Sequence, residues 1–502
     1  MHQALLIPEV LLEIFSHVTE EPPESSTGVT TGVVSLSQKS LAALATICKA
    51  FYEPAMDLLW SEINISESLL GCVTRLHPLI YRGGGLWNWA VGVRPLSVDE
   101  AHQFLRHSAR IRSLIMLSNR LLHLFSDIPV MLYDFPRLMS LTISTRYLNF
   151  LLSHTLHRHH LATVDEDIQP IVTRFAALER LRIFTPDTIN AVDSTADALF
   201  RISDVVRLCK QLVTLSCPLF DWAAWTHISN LSTLTRVDVG DTLTDATPPS
   251  PLERDITNFS PFSNVTALSF LLHGAAYAIT VMQRSQFPSL KEFRLDVRVL
   301  SSPEAEQLFR ALSKCKACET LEKILVYSLR HEHNDPQTNS LSVIPYLLCF
   351  TQLRTLDLAC YDLCINLDDV ILLEAMSAWP HMRNLEIEDS RFDYSPITFR
   401  GIFTMLRLCP QLDTLNISID TTTVDIDPDV EPAQHTSLRI LRLNTPGHQI
   451  PNAEALAHII FSCLPRINRV DGYVESKWDE VNMHLKSLKD AALHATGAAS
   501  NT

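Results

Sequence analysis

Leu138-Met139-Ser140-Leu141-Thr142-Ile143 sets a phrase, apolar–x–x–apolar–x–apolar, that returns down the chain. It recurs at 178–183, 212–217, 234–239, 265–270, 290–295, 321–326, 353–358, 382–387, 412–417 and 438–443, and a degraded copy begins at Ile467. Successive copies start 22 to 40 residues apart, and an aromatic residue, a Pro or a Cys often precedes them. Self-similarity at such a period is the mark of a repeat architecture. The last two apolar positions of each phrase are two residues apart, which places both side chains on one face of a strand.

Between the phrases the period changes. Apolar residues fall at i, i+3, i+4 and i+7 in Ile202, Val205, Val206 and Cys209; in Ala275, Ala278, Ile279 and Met282; and in Ala305, Leu308, Phe309 and Leu312. The same stripe appears in Phe399, Ile402, Phe403 and Leu406, and in Leu456, Ile459, Ile460 and Cys463. Such stripes are one face of an amphipathic helix. Each unit is therefore read as a helix and a short strand, too small to bury its own apolar face until neighbours stack on it. The spacing predicts an α/β fold, with parallel strands side by side and helices outside. The phrase resembles the leucine-rich repeat core, which implies a solenoid over 105–475. The Asn or Cys that usually follows that core is mostly absent, and the spacing is irregular.

Composition narrows the function. The chain has 502 residues, 46% of them apolar, and a net charge of −15. A nucleic-acid ligand calls for clustered Lys and Arg, and no basic run is present. No apolar stretch is long enough to span a membrane, and the N-terminus lacks the basic start and small-residue cleavage site of a signal peptide. Eleven scattered cysteines read as small buried hydrophobes in a reducing compartment, so an intracellular location, cytoplasmic or nuclear, is expected. On that reading the Asn-x-Ser/Thr sequons at Asn64, Asn230, Asn258, Asn264 and Asn416 arise by chance. Pro136, Pro288, Pro380, Pro410 and Pro465 stand just before phrases, where each ends the preceding helix.

The N-terminal stretch differs. Residues 5–18 read Leu-Leu-Ile-Pro-Glu-Val-Leu-Leu-Glu-Ile-Phe-Ser-His-Val. Pro8 suits a first helical turn, Glu9 and Glu13 favour the positive helix end, and Leu11, Ile14, Phe15 and Val18 share a face. A polar stretch follows to about residue 31, then a second helix from about Leu36 to Thr46 with Leu41, Leu44, Ala45 and Cys48 on one face. Cys48-Lys49-Ala50-Phe51 and Leu58-Leu59-Trp60 complete the pattern. In order and spacing residues 5–60 resemble an F-box, with a longer segment between its first two helices than most F-boxes have. That resemblance implies docking on the Skp-type adaptor of a cullin–RING ubiquitin ligase, through Ile7, Pro8, Leu11, Ile14, Phe15, Leu44 and Cys48. The competing reading is that these side chains only pack the three helices together. An F-box followed by leucine-rich repeats resembles the substrate receptors of SCF ligases, in the style of the expanded families of mushroom-forming fungi.

Groups able to carry chemistry are few. His154, His157, His159 and His160, with Asp165 and Glu166 nearby, have histidine spacings that zinc accepts, yet no Cys pair or H-E-x-x-H frame accompanies them. Cys315 and Cys318 form a C-x-x-C without a second pair, and His331-Glu332-His333 opens a polar loop. Residues 81–87 are Gly-rich but lack the Lys-Ser/Thr of a P-loop. Asp368 and Asp369 read as helix caps. No catalytic set, cofactor site or metal site is expected, and the chain is read as a non-enzyme. The acidic or Thr/Pro-rich stretches 241–251 and 420–432 are loops, either plain solvated ones or parts of a binding surface.

The expected organisation is an F-box at 5–60, a connecting segment at 61–104, the solenoid at 105–475, a capping helix at 476–490 with Trp478 and Leu485 inward, and a disordered tail at 491–502. The function implied is that of a substrate receptor, the F-box binding the adaptor and the solenoid a target protein. The alternative is a repeat scaffold whose first helices only cap it.

Overall fold

Every copy of the phrase folds into the same piece of backbone. The computed structural model describes residues 7–19, 36–63, 66–82, 88–116, 119–125, 135–144, 175–184, 195–240, 258–328, 340–360, 363–389, 396–422, 434–445, 450, 452–472 and 478–499. The two closing apolar residues of each full copy lie in a strand and are buried, from Leu141 and Ile143 to Leu441 and Leu443. The residue before the phrase has its own task. The amide of the first apolar residue donates to the carbonyl three residues earlier, at Phe135, Phe175, Phe287, Phe350, Trp379 and Cys409. Those six side chains are buried. The aromatic or Cys is thus the anchor of a turn that aims the chain into its strand, and a following Pro keeps a helix from running through it.

The chain divides into two compact units, 1–224 and 225–502. The first begins with three helices, α1 (Pro8–Thr19), α2 (Leu36–Ile47) and α3 (Lys49–Leu59). Five parallel strands follow in chain order: β1 (Glu62–Ile63), β2 (Ser113–Met116), β3 (Ser140–Ser144), β4 (Arg180–Phe184) and β5 (Thr214–Cys217). The stretch expected to be a connecting segment therefore carries the first strand of the sheet. Trp60-x-x-Ile63-x-Ile65 and Ile111-x-x-Leu114-x-Met116 fit the phrase.

The second unit carries β6 (Arg236–Val239), β7 (Ala267–Leu272), β8 (Glu292–Val297), β9 (Lys323–Ser328), β10 (Ser340–Leu341), β11 (Thr355–Cys360), β12 (Cys364–Ile365), β13 (Asn384–Asp389), β14 (Thr414–Ser418), β15 (Ile440–Asn444) and β16 (Val470–Asp471). All but β10 and β12, which pair with each other, join one parallel sheet in chain order. Its register aligns Val237, Leu268, Phe293, Ile324, Leu356 and Leu385 into one buried row. The row goes on through Leu415, Leu441 and Val470. A one-residue slip would turn that row to the other face of the sheet, so burial fixes the register.

The helices cover the apolar side. Ile202, Val205, Val206 and Cys209 are buried in the first unit, as are the stripes beginning at Ala275, Ala305, Phe399 and Leu456 in the second. Trp225 is fully buried among Phe262, Phe270 and Tyr277, and its indole N–H donates to the Tyr277 hydroxyl at 2.6 Å. The last helix, Asp479–Ala499, closes the stack with Trp478, Val481 and Leu485 buried, and Trp478 Nε1 donates to the Leu443 carbonyl at 2.9 Å. It corrects the expected disordered tail: the helix runs through 491–499, where Ala491, Ala492, Ala495, Ala498 and Ala499 supply helix propensity that outweighs the single Gly497. The described parts are thus α/β stacks of the leucine-rich-repeat kind, a parallel sheet with outer helices.

Candidate functional site

The three N-terminal helices are held by a small core of Leu11, Phe15, Leu41 and Ala55, with Leu44, Phe51 and Leu58 packed against it. Phe15 meets Phe51 edge to face, ring centres 5.4 Å apart. This divides the seven expected docking residues. Leu11 and Phe15 are turned inward and hold the helices together, and Leu44 leans on them. Ile7 and Ile14, 47% and 43% exposed, stand outward one heptad apart, and Pro8 beside Ile7 is exposed too. Cys48 is half-buried at the start of α3, where its carbonyl accepts from the amides of Phe51 and Tyr52. Ile47 and Tyr52 are also exposed, which an apolar stripe alone does not reveal.

These helices are fixed to the first repeats. Arg110 donates to the carboxylates of Asp57 and Glu53 on α3, and Arg137 lies 3.7 Å from Asp57. Trp60 stacks on His107 with ring centres 4.1 Å apart, and burial holds the His107 pKa below its ordinary value, helped by Arg106 and Arg110. The Ser61 carbonyl accepts from the amides of Arg112 and Ser113, which hands the chain from α3 into β1 beside β2.

The second candidate surface is the polar face of the sheet. In the second unit its side chains pair both along and across strands. Arg236 binds Asp238, Arg294 binds Asp296 and lies over the Tyr327 ring, and Arg442 lies 3.5 Å from Glu386. Tyr327 donates to Asp357, Asn416 donates to Glu388, and Asn444 donates to Asn416. Five acids face three arginines here, and Tyr327 and Asn416 serve the other two. Burial raises the pKa of Asp357, and the charge of Glu388 adds to it; burial and the charge of Asp357 do the same to Glu386. Such a face offers many directional groups, and among the described residues no nucleophile stands beside a base on it.

Of the remaining chemical candidates, Cys315 is buried and its thiol is pushed up to about 11 by burial, which makes it unreactive. Cys318 lies near Cys349 of the next repeat, whose thiol is pushed up to about 12 by burial and by that neighbour. All eleven cysteines are free. Asp368 caps its helix by accepting from the Ile371 amide, while Asp369 reaches the next repeat. The cluster from His154 to Glu166, His331-Glu332-His333, the stretch 241–251, and most of both 81–87 and 420–432 lie outside the described residues. Among the described residues no group of three His, Cys, Asp or Glu is placed to hold a metal, and no helix is long and apolar enough to cross a membrane.

No protein-family model and no curated protein matches the chain. Among solved structures, a leucine-rich-repeat protein from Leptospira interrogans matches with a TM-score of 0.35 and 12% identity, over 76% of this chain and 83% of that one. A protein from Bacteroides fragilis matches with a TM-score of 0.26 and 11% identity, over 67% of this chain and 66% of that one, so the chain spans just under two thirds of its length. The fold class rests on the strand register and helix placement described above.

Proposed function

We propose that the chain is the substrate receptor of an SCF-type ubiquitin ligase. Residues 5–60 act as the F-box and dock the Skp-type adaptor, and the repeat stack binds a target protein. The observation that carries this is the outward pair of Ile14 on α1 and Ile7 just before it, where the other side of α1 is already packed. Large apolar side chains kept in water on a small helical unit suit a surface that a partner covers. A core of roughly fifty-five residues is marginal alone and gains from docking. The clamp from Arg110 to Asp57 and Glu53 would let the adaptor hold the repeats in a fixed pose. The chain supplies no chemistry; it holds a target near a ubiquitin-loading enzyme, which raises their effective concentration.

Co-purification of the full chain with a Skp-type adaptor tests this, beside an Ile7→Asp/Ile14→Asp variant. These outward positions suit the test because, unlike the core residue Phe15, they can change without unfolding the helices. Binding by the parent that the folded variant loses supports the receptor. No binding by a folded parent removes it.

The same clamp favours a second reading, in which the three helices only cap the repeat stack. On that reading deletion of residues 1–60 removes the α3 carboxylates that hold Arg110 and destabilises the first unit, with no adaptor in play.

A further inference from the structure

On the polar sheet face of the second unit each arginine has a carboxylate: Arg236 has Asp238, Arg294 has Asp296 and Arg442 has Glu386. The first unit differs. Arg180 and Arg182 stand two residues apart on β4, both exposed, with Leu181 and Ile183 buried on the opposite side. No side-chain hydrogen bond or ion pair among the described residues engages either guanidinium. Register surrounds them with hydroxyls. Arg180 lies beside Ser140 of β3 and Thr214 of β5, and Arg182 beside Thr142 and Ser216. All four hydroxyl residues are half-buried and none of their side chains has a described partner.

We infer that this patch binds the phosphate of a phosphorylated Ser or Thr on a partner protein. The inference rests on the receptor reading only for why a target is held there. Alternate residues of one strand have Cα atoms about 7 Å apart, and adjacent strands are about 4.8 Å apart, a span that two long arginine side chains can close on one group. One phosphate set between them lies within reach of both forks and of the flanking hydroxyls. A guanidinium offers five N–H donors in a plane that matches phosphate oxygens, and a phosphomonoester presents three such oxygens with nearly two negative charges. Four hydroxyl donors beside two arginines exceed what the two oxygens of one carboxylate can use, so phosphate fits better than an acidic side chain. A nucleic acid would need further basic residues to follow its backbone, and the chain carries a net charge of −15. No covalent step is involved; the partner is held by charge-assisted hydrogen bonds.

The test uses the full chain and a fluorescent peptide pool with random residues around one fixed phosphoserine, beside the same pool with serine. The parent should bind the phosphorylated pool about tenfold or more tightly, since two charge-assisted contacts are at stake. Arg180→Gln/Arg182→Gln should abolish the preference, and Arg236→Gln, on the other unit, should keep it. Folding of each variant is checked by circular dichroism. Should the Gln pair not fold, Arg180→Lys/Arg182→Lys keeps both charges but loses the planar forks, and should lower the preference at least about threefold. A folded parent without phosphate preference, a preference that survives the Gln pair, or displacement of the pool by an oligothymidylate would each overturn the inference. Adaptor binding is measured on the same samples. Its failure strikes the receptor reading and leaves the phosphate site standing; loss of phosphate preference with adaptor binding intact removes only the site.

Discussion

The guanidinium of Arg110, at the end of the segment leading into β2, grips the carboxylate of Asp57 on α3 and holds Glu53 with its other arm. Side chains fifty-three residues apart in sequence thus tie the three-helix unit to the first repeats. Both are mostly buried, at 22% and 31% side-chain exposure, so solvent weakens the pair less than it weakens a surface bridge. Arg110→Ala leaves Glu53 without its cation and Asp57 with only Arg137. It should cost about 1–2 kcal/mol. Limited proteolysis should then release the first sixty residues faster than from the parent. Unchanged cleavage would show that Trp60 on His107 suffices to hold the unit.

Acid should act through Glu100. The hydrogen bond from Arg75 holds its carboxyl down at about 2 against the opposing effect of burial, with help from the Ser97 amide. A carboxyl depressed in the folded state contributes stability that is present above its unfolded value, about 4.5, and is lost as pH falls toward 2. Urea midpoints of parent and Glu100→Gln should therefore differ most above pH 5 and converge between pH 4.5 and 2. A constant gap over that range would mean the pair is not what titrates.

Asp357 should behave with the opposite sign. Burial and Glu388 raise its pKa, while the bond from Tyr327 opposes them. The cost of its charged form is absent below the unfolded value, grows as the pH rises through it, and is complete above the raised folded value. Asp357→Asn keeps an acceptor for Tyr327 and removes the charge. At pH 7 it should raise Tm by about 1–2 °C, a gain that vanishes near pH 3. A lower Tm at pH 7 would show that attraction to Arg294 outweighs burial.

Asp369 joins neighbouring repeats. Its carboxylate accepts from the Thr398 amide at 2.9 Å and the Thr398 hydroxyl at 2.8 Å, and Thr398 in turn caps the following helix through the Gly401 amide. A Cβ at Gly401 would stand 2.0 Å from Asp369 Oδ1. Gly401→Ala should therefore expel the carboxylate from Thr398 and, after the gain in helix propensity, cost about 1–2 kcal/mol. Asp369→Asn in the same background should recover little. A Gly401→Ala protein as stable as the parent by urea denaturation would refute the contact.

The sequence makes the strands and helix stripes legible because burial imposes two different periods, two residues at Leu141 and Ile143 and three to four at Ile402, Phe403 and Leu406. The turn anchors were visible only as a tendency, since Phe175, Trp379 and Cys409 share no chemistry beyond filling one buried slot. The expected solenoid, 105–475, takes in β2 but not β1, whose two residues are too few to show a period. The two-residue strands Ser340–Leu341 and Cys364–Ile365 are too short for any period to show. The inward turn of Phe15 and the outward turn of Ile14, neighbours on one apolar stripe, depend on where α3 sits, which no spacing reveals. The pairing of Arg442 with Glu386 spans fifty-six positions, and follows only once the strand register is known.

Hydrogen exchange of the full chain with and without a Skp-type adaptor tests the receptor account most directly. The account predicts added protection in 7–19 and 36–59, centred on the segments with Ile7, Ile14 and Ile47, with strands β6 to β15 unchanged. An adaptor that leaves those helices exchanging as in the free chain would contradict it.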